Sequence, residues 1–190
     1  MQPIGRSEIL PLGEYEQIRE RFRARVIGEK RRRRVALGEH LSAVFENRDT
    51  VMLQIQEMLR TERITNEAGI LHEIETYNDL LPGQGQLSMT LFVEVADRET
   101  RERLLRELAG LEEKVVLDID GIASHATGKR EGAEAERTTA VHYLKFELPD
   151  DAAARLRSGA AVTLRVEHAR YQAAATLPSE TRAALAEDLA

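Results

Sequence analysis

Cysteine and tryptophan are both absent from the 190 residues of this chain, and aromatic residues make up only 4% of it. Without a thiol, the chain cannot form a disulfide, a thiolate zinc site, a cysteine-ligated iron–sulfur cluster or a cysteine nucleophile. No apolar run approaches the roughly 20 residues of a membrane-spanning helix, and the charged N-terminus lacks the apolar segment of a signal peptide. We therefore expect a cytoplasmic protein with a mainly aliphatic core.

Several enzyme motifs are missing as well. Gly83 and Gly85 follow a predicted helix and precede a predicted strand, which is the reverse of a dinucleotide-binding fingerprint. Gly128-Lys129 is followed by Arg130, where a phosphate-binding loop carries Ser or Thr. Neither HExxH nor GxSxG occurs, and no histidine has a Glu three residues before it, which excludes a ferritin-like di-iron bundle. These absences favour a non-catalytic protein.

What the chain does contain is typical of a globular domain, with 42% hydrophobic and 32% charged residues. Its charge is unevenly divided: residues 1–34 hold ten Lys or Arg against five Glu, whereas the remainder holds 17 basic and 28 acidic residues. Such a basic segment can bind nucleic acid or phosphate, or it can pair with the acidic remainder of the same chain. The net charge of −6 and the lack of a recognition motif argue against nucleic acid.

The hydrophobic pattern predicts helices first and strands later. Apolar residues spaced by three and four predict helices over 14–31, 49–63 (capped by Asp49) and 66–81 (capped by Asn66). Two short strands, 35–38 and 41–45, are predicted between the first two helices. A period of two then predicts strands over 87–95, 115–119, 122–127, 140–148, 162–168 and 172–176, with helices over 97–109 and at the C-terminus. Residues 128–137 are predicted to form a mobile loop.

This order predicts one α+β domain over residues 1–190. Its N-terminal helices (1–82) would pack on a mainly antiparallel β-sheet formed by the strand-rich part (87–190).

Two histidines occupy matching positions on two of the predicted strands. If these strands pair antiparallel with their apolar faces together, His142 lies opposite His168, and cross-strand neighbours about 5 Å apart can share a divalent metal. Tyr171 or Glu147 would lie nearby, although Glu147 needs a bulge to reach His142. The alternative is two histidines hydrogen-bonded separately, and a parallel crossover would place them at opposite ends of the sheet. His142 and His168 are therefore the candidate metal ligands.

Sequence segments distributed along nearly the whole chain carry a resemblance to a known family. They are ILPL at 9–12, RRVALG at 33–38, FENRDT at 45–50, QEMLR at 56–60, AVH at 140–142 and FEL at 146–148. With these segments the chain resembles an uncharacterised bacterial family, the domain-of-unknown-function family numbered thirty-five hundred and one. The resemblance implies companions of the rubrerythrin type and an iron–sulfur oxidoreductase, encoded nearby in bacterial genomes. Any iron–sulfur chemistry would then reside in the partner.

Three hypotheses of function follow. The first is a non-catalytic accessory or binding protein linked to a redox or peroxide-defence system. Its candidate partner-binding residues are Arg31, Arg32, Arg33, Arg34, Glu57 and Arg60. The second is a small metal-binding protein or metal-dependent enzyme that uses His142 and His168, and the third is nucleic-acid binding through the basic run. We adopt the first hypothesis; a homo-oligomer and the identity of any ligand stay open.

Overall fold

The computed structural model of the chain describes residues 1–128 and 136–189. Six α-helices lie in these residues: α1 (Leu12–Arg32), α2 (Arg48–Thr61), α3 (Glu67–Asn78), α4 (Arg98–Glu107), α5 (Asp150–Arg157) and α6 (Ser179–Asp188). Nine β-strands lie there too: β1 (Arg34–Leu37), β2 (Leu41–Phe45), β3 (Gln86–Val93), β4 (Val115–Ile119), β5 (Ile122–His125), β6 (Thr127–Gly128), β7 (Val141–Glu147), β8 (Val162–His168) and β9 (Tyr171–Thr176). The predicted mobile loop falls mostly outside the described residues. No described helix is both long and apolar enough to cross a membrane.

The strands form two antiparallel sheets. The first sheet has the order β1-β2-β3-β7-β6 and the second has the order β5-β4-β8-β9. Every pairing in both sheets is antiparallel. The predicted α+β fold with antiparallel strands is therefore confirmed, although the strands divide between two sheets instead of forming one.

The main core lies between the two sheets. Its single cluster of buried apolar side chains includes Met89 and Leu144 from the first sheet and Leu117 and Leu164 from the second. Buried residues alternate with more exposed ones along β7 and β8, as expected where each sheet turns one face to a shared core. The chain passes from the second sheet to the first between β5 and β6, which are separated by Ala126 alone.

The N-terminal helices have a smaller core of their own. Its buried side chains include Ile55 of α2 and Ile70 and Ile74 of α3. Helix α1 lies against α2, where the hydroxyl of Tyr15 donates a hydrogen bond of 2.7 Å to Glu57 Oε1. The buried face of α3 packs against α2. The C-terminal end of α3 lies beside strands β3 and β7 of the first sheet.

The residue that caps α2 differs from the prediction. Asn47, and not Asp49, is the N-cap: its side chain accepts a hydrogen bond from the amide of Thr50 at 3.0 Å, and the Thr50 hydroxyl accepts one from the Asn47 amide at 2.9 Å. Asn47 has the extended backbone that an N-cap requires, whereas Asp49 already lies in the first turn and pairs with Arg25. The predicted cap of α3, Asn66, is confirmed.

A buried carboxylate joins the helical part to the first sheet. Glu46, which directly follows β2, accepts a hydrogen bond of 2.6 Å from Thr90 Oγ1 on β3. Its other oxygen accepts hydrogen bonds from Thr50 and Gln54 of α2. Because buried polar groups need such partners, this cluster fixes the start of α2 against the outer face of β3.

Candidate functional site

A cavity of about 510 Å³ lies between the C-terminal end of α3 and strand β7. This volume falls within the range of about 300–1,000 Å³ that is usual for small-molecule sites. Thr76 and Tyr77 line it from the last turn of α3, Asp79 and Leu80 from the residues that follow, and Glu112 from the segment before β4. The remaining wall comes from β3, β6, β7 and the residue Thr139.

The outer face of β7 supplies an apolar wall of this cavity. Val141 and Tyr143 both point to this face and are 39% and 45% exposed, which is unusual for side chains of their size. Tyr77 lines the same cavity; burial raises the pKa of its phenol, and Tyr143 acts in the same direction. Single exposed apolar side chains are common on proteins, but here two of them face one cavity together with Leu80. The wall is therefore suited to an apolar or aromatic ligand surface.

A lysine and a serine lie side by side on this same face. Lys145 of β7 is directly opposite Ser88 of β3 in the strand register, and both line the cavity. Lys145 is partly buried, and Ser88 is only 3% exposed. Within residues 1–128 and 136–189, neither side chain makes a hydrogen bond or an ion pair. The cavity thus contains two polar groups whose donors are directed to no described protein group.

His142 belongs to the opposite face of β7 but also lines the cavity. Strand β6 pairs with β7 only at Lys145 and Leu144, so the described strands leave the edge beside His142 unpaired. The ring Nε2 lies 3.1 Å from Thr138 Oγ1, and Nδ1 lies 3.9 Å from Glu112 Oε2. Burial lowers the pKa of His142, while the Glu112 carboxylate acts in the opposite direction. Burial therefore favours the neutral form of the His142 ring.

The predicted pairing of His142 with His168 is wrong. β7 pairs with β3 and β6, whereas β8 pairs with β4 and β9, so the two histidines lie in different sheets. His142 lies opposite Leu91, and His168 lies opposite Tyr171. The physical reason is that the chain between β7 and β8 forms helix α5, which contacts β4 of the second sheet. A link that long does not require its two strands to be neighbours.

His168 has its own hydrogen bonds. Its Nδ1 accepts a hydrogen bond from the Arg170 amide at 3.2 Å, and its Nε2 lies 3.2 Å from the carbonyl oxygen of Ala109. Because Nδ1 accepts a hydrogen bond from an amide, Nε2 carries the ring hydrogen of the neutral imidazole and donates a hydrogen bond to that carbonyl. No group of three or more His, Asp or Glu side chains that could hold a metal lies in the described residues. Metal binding by His142 and His168 stays a prediction, but the cross-strand pairing of the two residues that it assumed is not present.

Arg33, expected on a partner-binding surface, is buried instead. Its side chain is 1% exposed, and its guanidinium binds Asp188 of α6, with Nη2 at 2.9 Å from Oδ1. It also binds Glu29 of α1 and the carbonyl oxygen of Ala184. Burial therefore removes Arg33 from any docking surface and makes it an anchor for the C-terminal helix.

The other candidate partner-binding residues lie nearer the surface. Four of the five have partners within the chain: Arg32 pairs with Glu29, Arg34 with Glu94, Glu57 with Arg19, and Arg60 with Glu16. Arg31 is exposed at the end of α1. The pairing of the basic run with acidic residues of the same chain therefore has structural support. Binding of a partner by these residues stays a prediction.

Comparison with known proteins decides the family. The model of DUF3501, described as a protein of unknown function, matches residues 3–189. The chain belongs to the DUF3501 family. Among solved structures, a protein of unknown function from Burkholderia pseudomallei K96243, with a crystal structure at 1.90 Å resolution, is 37% identical. Its TM-score is 0.93 and the match covers 100% of both chains. None of the curated proteins matches.

Most of the cavity of this DUF3501 protein could not be predicted from the sequence. Its lining residues come from separate segments of the chain, and these meet only in the folded protein; they include Tyr77, Ser88, Glu112, Tyr143 and Lys145. One signal was available: Val141 and Tyr143 make the outer face of β7 partly apolar, although its inner face is already apolar. A strand that is apolar on both faces indicates that something covers the outer one.

Proposed function

We propose that this DUF3501 protein binds a small organic molecule in the cavity between α3 and β7, as a non-catalytic binding protein. The observation that carries the proposal is the pair of exposed large side chains, Val141 and Tyr143, inside a concave site that also holds polar groups. Small-molecule sites commonly combine mostly apolar walls with a few convergent polar groups. The cavity has both features.

The aromatic side chains of the cavity indicate the kind of ligand surface that would contact them. Tyr77 of α3 and Tyr143 of β7 both line the cavity, from two different elements. Aromatic pairs contribute roughly 0.5–1.5 kcal/mol beyond the burial of their area. We therefore expect a ligand with an aromatic or similarly flat apolar body, covering the exposed part of Tyr143.

The proposal is tested with a neutral fluorescent probe, N-phenyl-1-naphthylamine, whose emission rises in an apolar site. We expect saturable binding by the wild-type protein. The dissociation constant of Tyr143→Ala should be roughly tenfold larger, which corresponds to a loss of about 1.4 kcal/mol in binding free energy. Leu71→Ala is the matched control, because Leu71 is also a large exposed side chain but lies outside the cavity. Absence of saturable binding, or equal losses in both variants, would overturn the proposal.

An accessory role in a redox or peroxide-defence system is the finer form of this proposal. It is supported by the resemblance described above, which implies a rubrerythrin-type or iron–sulfur oxidoreductase partner. The absence of cysteine means that an iron–sulfur cluster would belong to that partner. Co-elution of the purified chain with a purified rubrerythrin-type protein of the same organism at low salt is the expected result. Separate elution at every ratio would contradict this form and leave ligand binding standing.

A further inference from the structure

We infer that the ligand carries an anionic group, which Lys145 and Ser88 hold at one end of the cavity. The inference rests on the proposed function, because it assigns a chemical class to the ligand of that same cavity. It concerns small organic anions, such as carboxylates or sulfonates, with an aromatic or apolar body.

The two side chains start from neighbouring positions in the first sheet. Lys145 and Ser88 are directly opposite each other on neighbouring antiparallel strands and share the face that lines the cavity. Side chains in such a pair start from Cβ atoms about 5 Å apart. A lysine ammonium offers three donors and a serine hydroxyl offers one, and all can converge on the oxygens of one anionic group.

These donors lack protein partners within residues 1–128 and 136–189. Ser88 lines the cavity and is 3% exposed, and its hydroxyl makes no hydrogen bond within the described residues. Lys145 is partly buried against an apolar wall, and it forms no ion pair with residues 1–128 or 136–189. A bound carboxylate or sulfonate supplies acceptors to both groups, and hydrogen bonds to an ionised acceptor are the stronger kind.

The charged residues around the cavity limit where an anionic group can lie in it. Asp79 and Glu112 also line the cavity, and carboxylates there would repel such a group, while burial favours the neutral form of His142. Lys145 is therefore the one cationic side chain among the described lining residues. Its position places the anionic group beside β3 and β7 and leaves the apolar body to Tyr77 and Tyr143.

Two probes that differ only in a sulfonate test this inference. They are N-phenyl-1-naphthylamine, which is neutral, and 8-anilinonaphthalene-1-sulfonate, which is anionic. We expect Lys145→Met to raise the dissociation constant of the anionic probe roughly tenfold, and to leave that of the neutral probe within about twofold. Ser88→Ala should show the same selectivity with a smaller loss. Lys114→Met is the control, because it removes the charge of an exposed lysine outside the cavity.

Each outcome has one meaning. Equal losses for both probes in Lys145→Met, or no loss for either, would overturn the inference while the proposed function stands. Equal losses in Lys114→Met and Lys145→Met would also overturn it, because only net charge would then matter. Failure of both probes to bind the wild-type protein would overturn the proposed function itself. Thermal unfolding of each variant confirms that it is folded; if Lys145→Met is not, Ser88→Ala decides alone.

Discussion

A Cβ atom at position 38 would lie 2.5 Å from the hydroxyl oxygen of Tyr171. Gly38 lies in the turn between β1 and β2 with a φ of +73°, in the left-handed region that favours glycine. The Tyr171 hydroxyl donates a hydrogen bond of 2.6 Å to the carbonyl oxygen of Leu37 and accepts one of 3.1 Å from the His40 amide. Tyr171, at the start of β9, thus joins the two sheets at this edge, and its hydroxyl is occupied within the protein.

Gly38→Ala should lower the free energy of unfolding by about 2–3 kcal/mol, because it adds backbone strain and displaces the Tyr171 hydroxyl. Urea denaturation measures this change. Gly28→Ala is the matched control, since Gly28 lies within α1 and nothing would contact its added Cβ; it should stabilise the protein by roughly 0.5–1 kcal/mol. Similar changes in the free energy of unfolding for the two substitutions would contradict a requirement for glycine at position 38.

Arg33→Met should be strongly destabilising, because it leaves Asp188 buried without its cation. Loss of one member of a buried ion pair costs about 3–5 kcal/mol, whereas replacing both members with apolar residues is often close to neutral. The double variant Arg33→Met with Asp188→Leu should therefore regain much of the lost stability in denaturant unfolding. A double variant that is less stable than either single one would contradict this account of the α6 anchor.

The stability of the protein should fall as the pH drops below about 6.5, in part because of His142. Burial lowers the pKa of His142 in the folded state, with Glu112 opposing, so the unfolded chain binds more protons in this range. The contribution of neutral His142 to the free energy of unfolding is therefore fully present above the unfolded-state pKa of 6.5, and it is lost as the pH falls through the folded-state pKa. Denaturant unfolding of His142→Gln between about pH 7.5 and 5.5 should show a shallower decline. His72→Gln, at an exposed position of α3, should keep the wild-type slope.

Tag-free protein prepared without chelator should contain no metal that depends on His168. Both ring nitrogens of His168 are engaged, with Arg170 and with Ala109, so neither is available as a ligand. Elemental analysis of the wild type and of the single variants His168→Ala and His142→Ala measures this directly. Near-stoichiometric iron, zinc or manganese that disappears in His168→Ala as well as in His142→Ala would contradict this expectation and support the two-histidine metal site.

Local patterns in the sequence predicted the helices and strands of the fold, but not which strands pair with each other. The change of period near residue 87 located the strands, because the pleat of a strand exposes alternate residues to the core. It contained no information on whether β7 pairs with β3 or with β8, since both partners offer an apolar face. That choice depends on the packing of α5 and on contacts between distant segments. The two-histidine pairing was wrong for this reason.

The candidate site was predicted only in part. His142 was identified from the sequence as a metal ligand because it matches His168 on a second strand; it does line the cavity, while its binding of a metal stays a prediction. Arg33 was assigned to the surface because it lies in a basic run, yet the partner that buries it, Asp188, is 155 residues away. Tyr77 and Lys145 carry no sequence signal of a site, because each is ordinary in its own element and the cavity exists only where the elements meet.

The most direct test of the account is a crystal structure of the protein with N-phenyl-1-naphthylamine. The account predicts that the aromatic rings of the probe lie in the cavity between α3 and β7, in contact with Tyr143 and Tyr77. A probe bound elsewhere, or an empty cavity at saturating probe, would contradict the claim that this cavity is the ligand site.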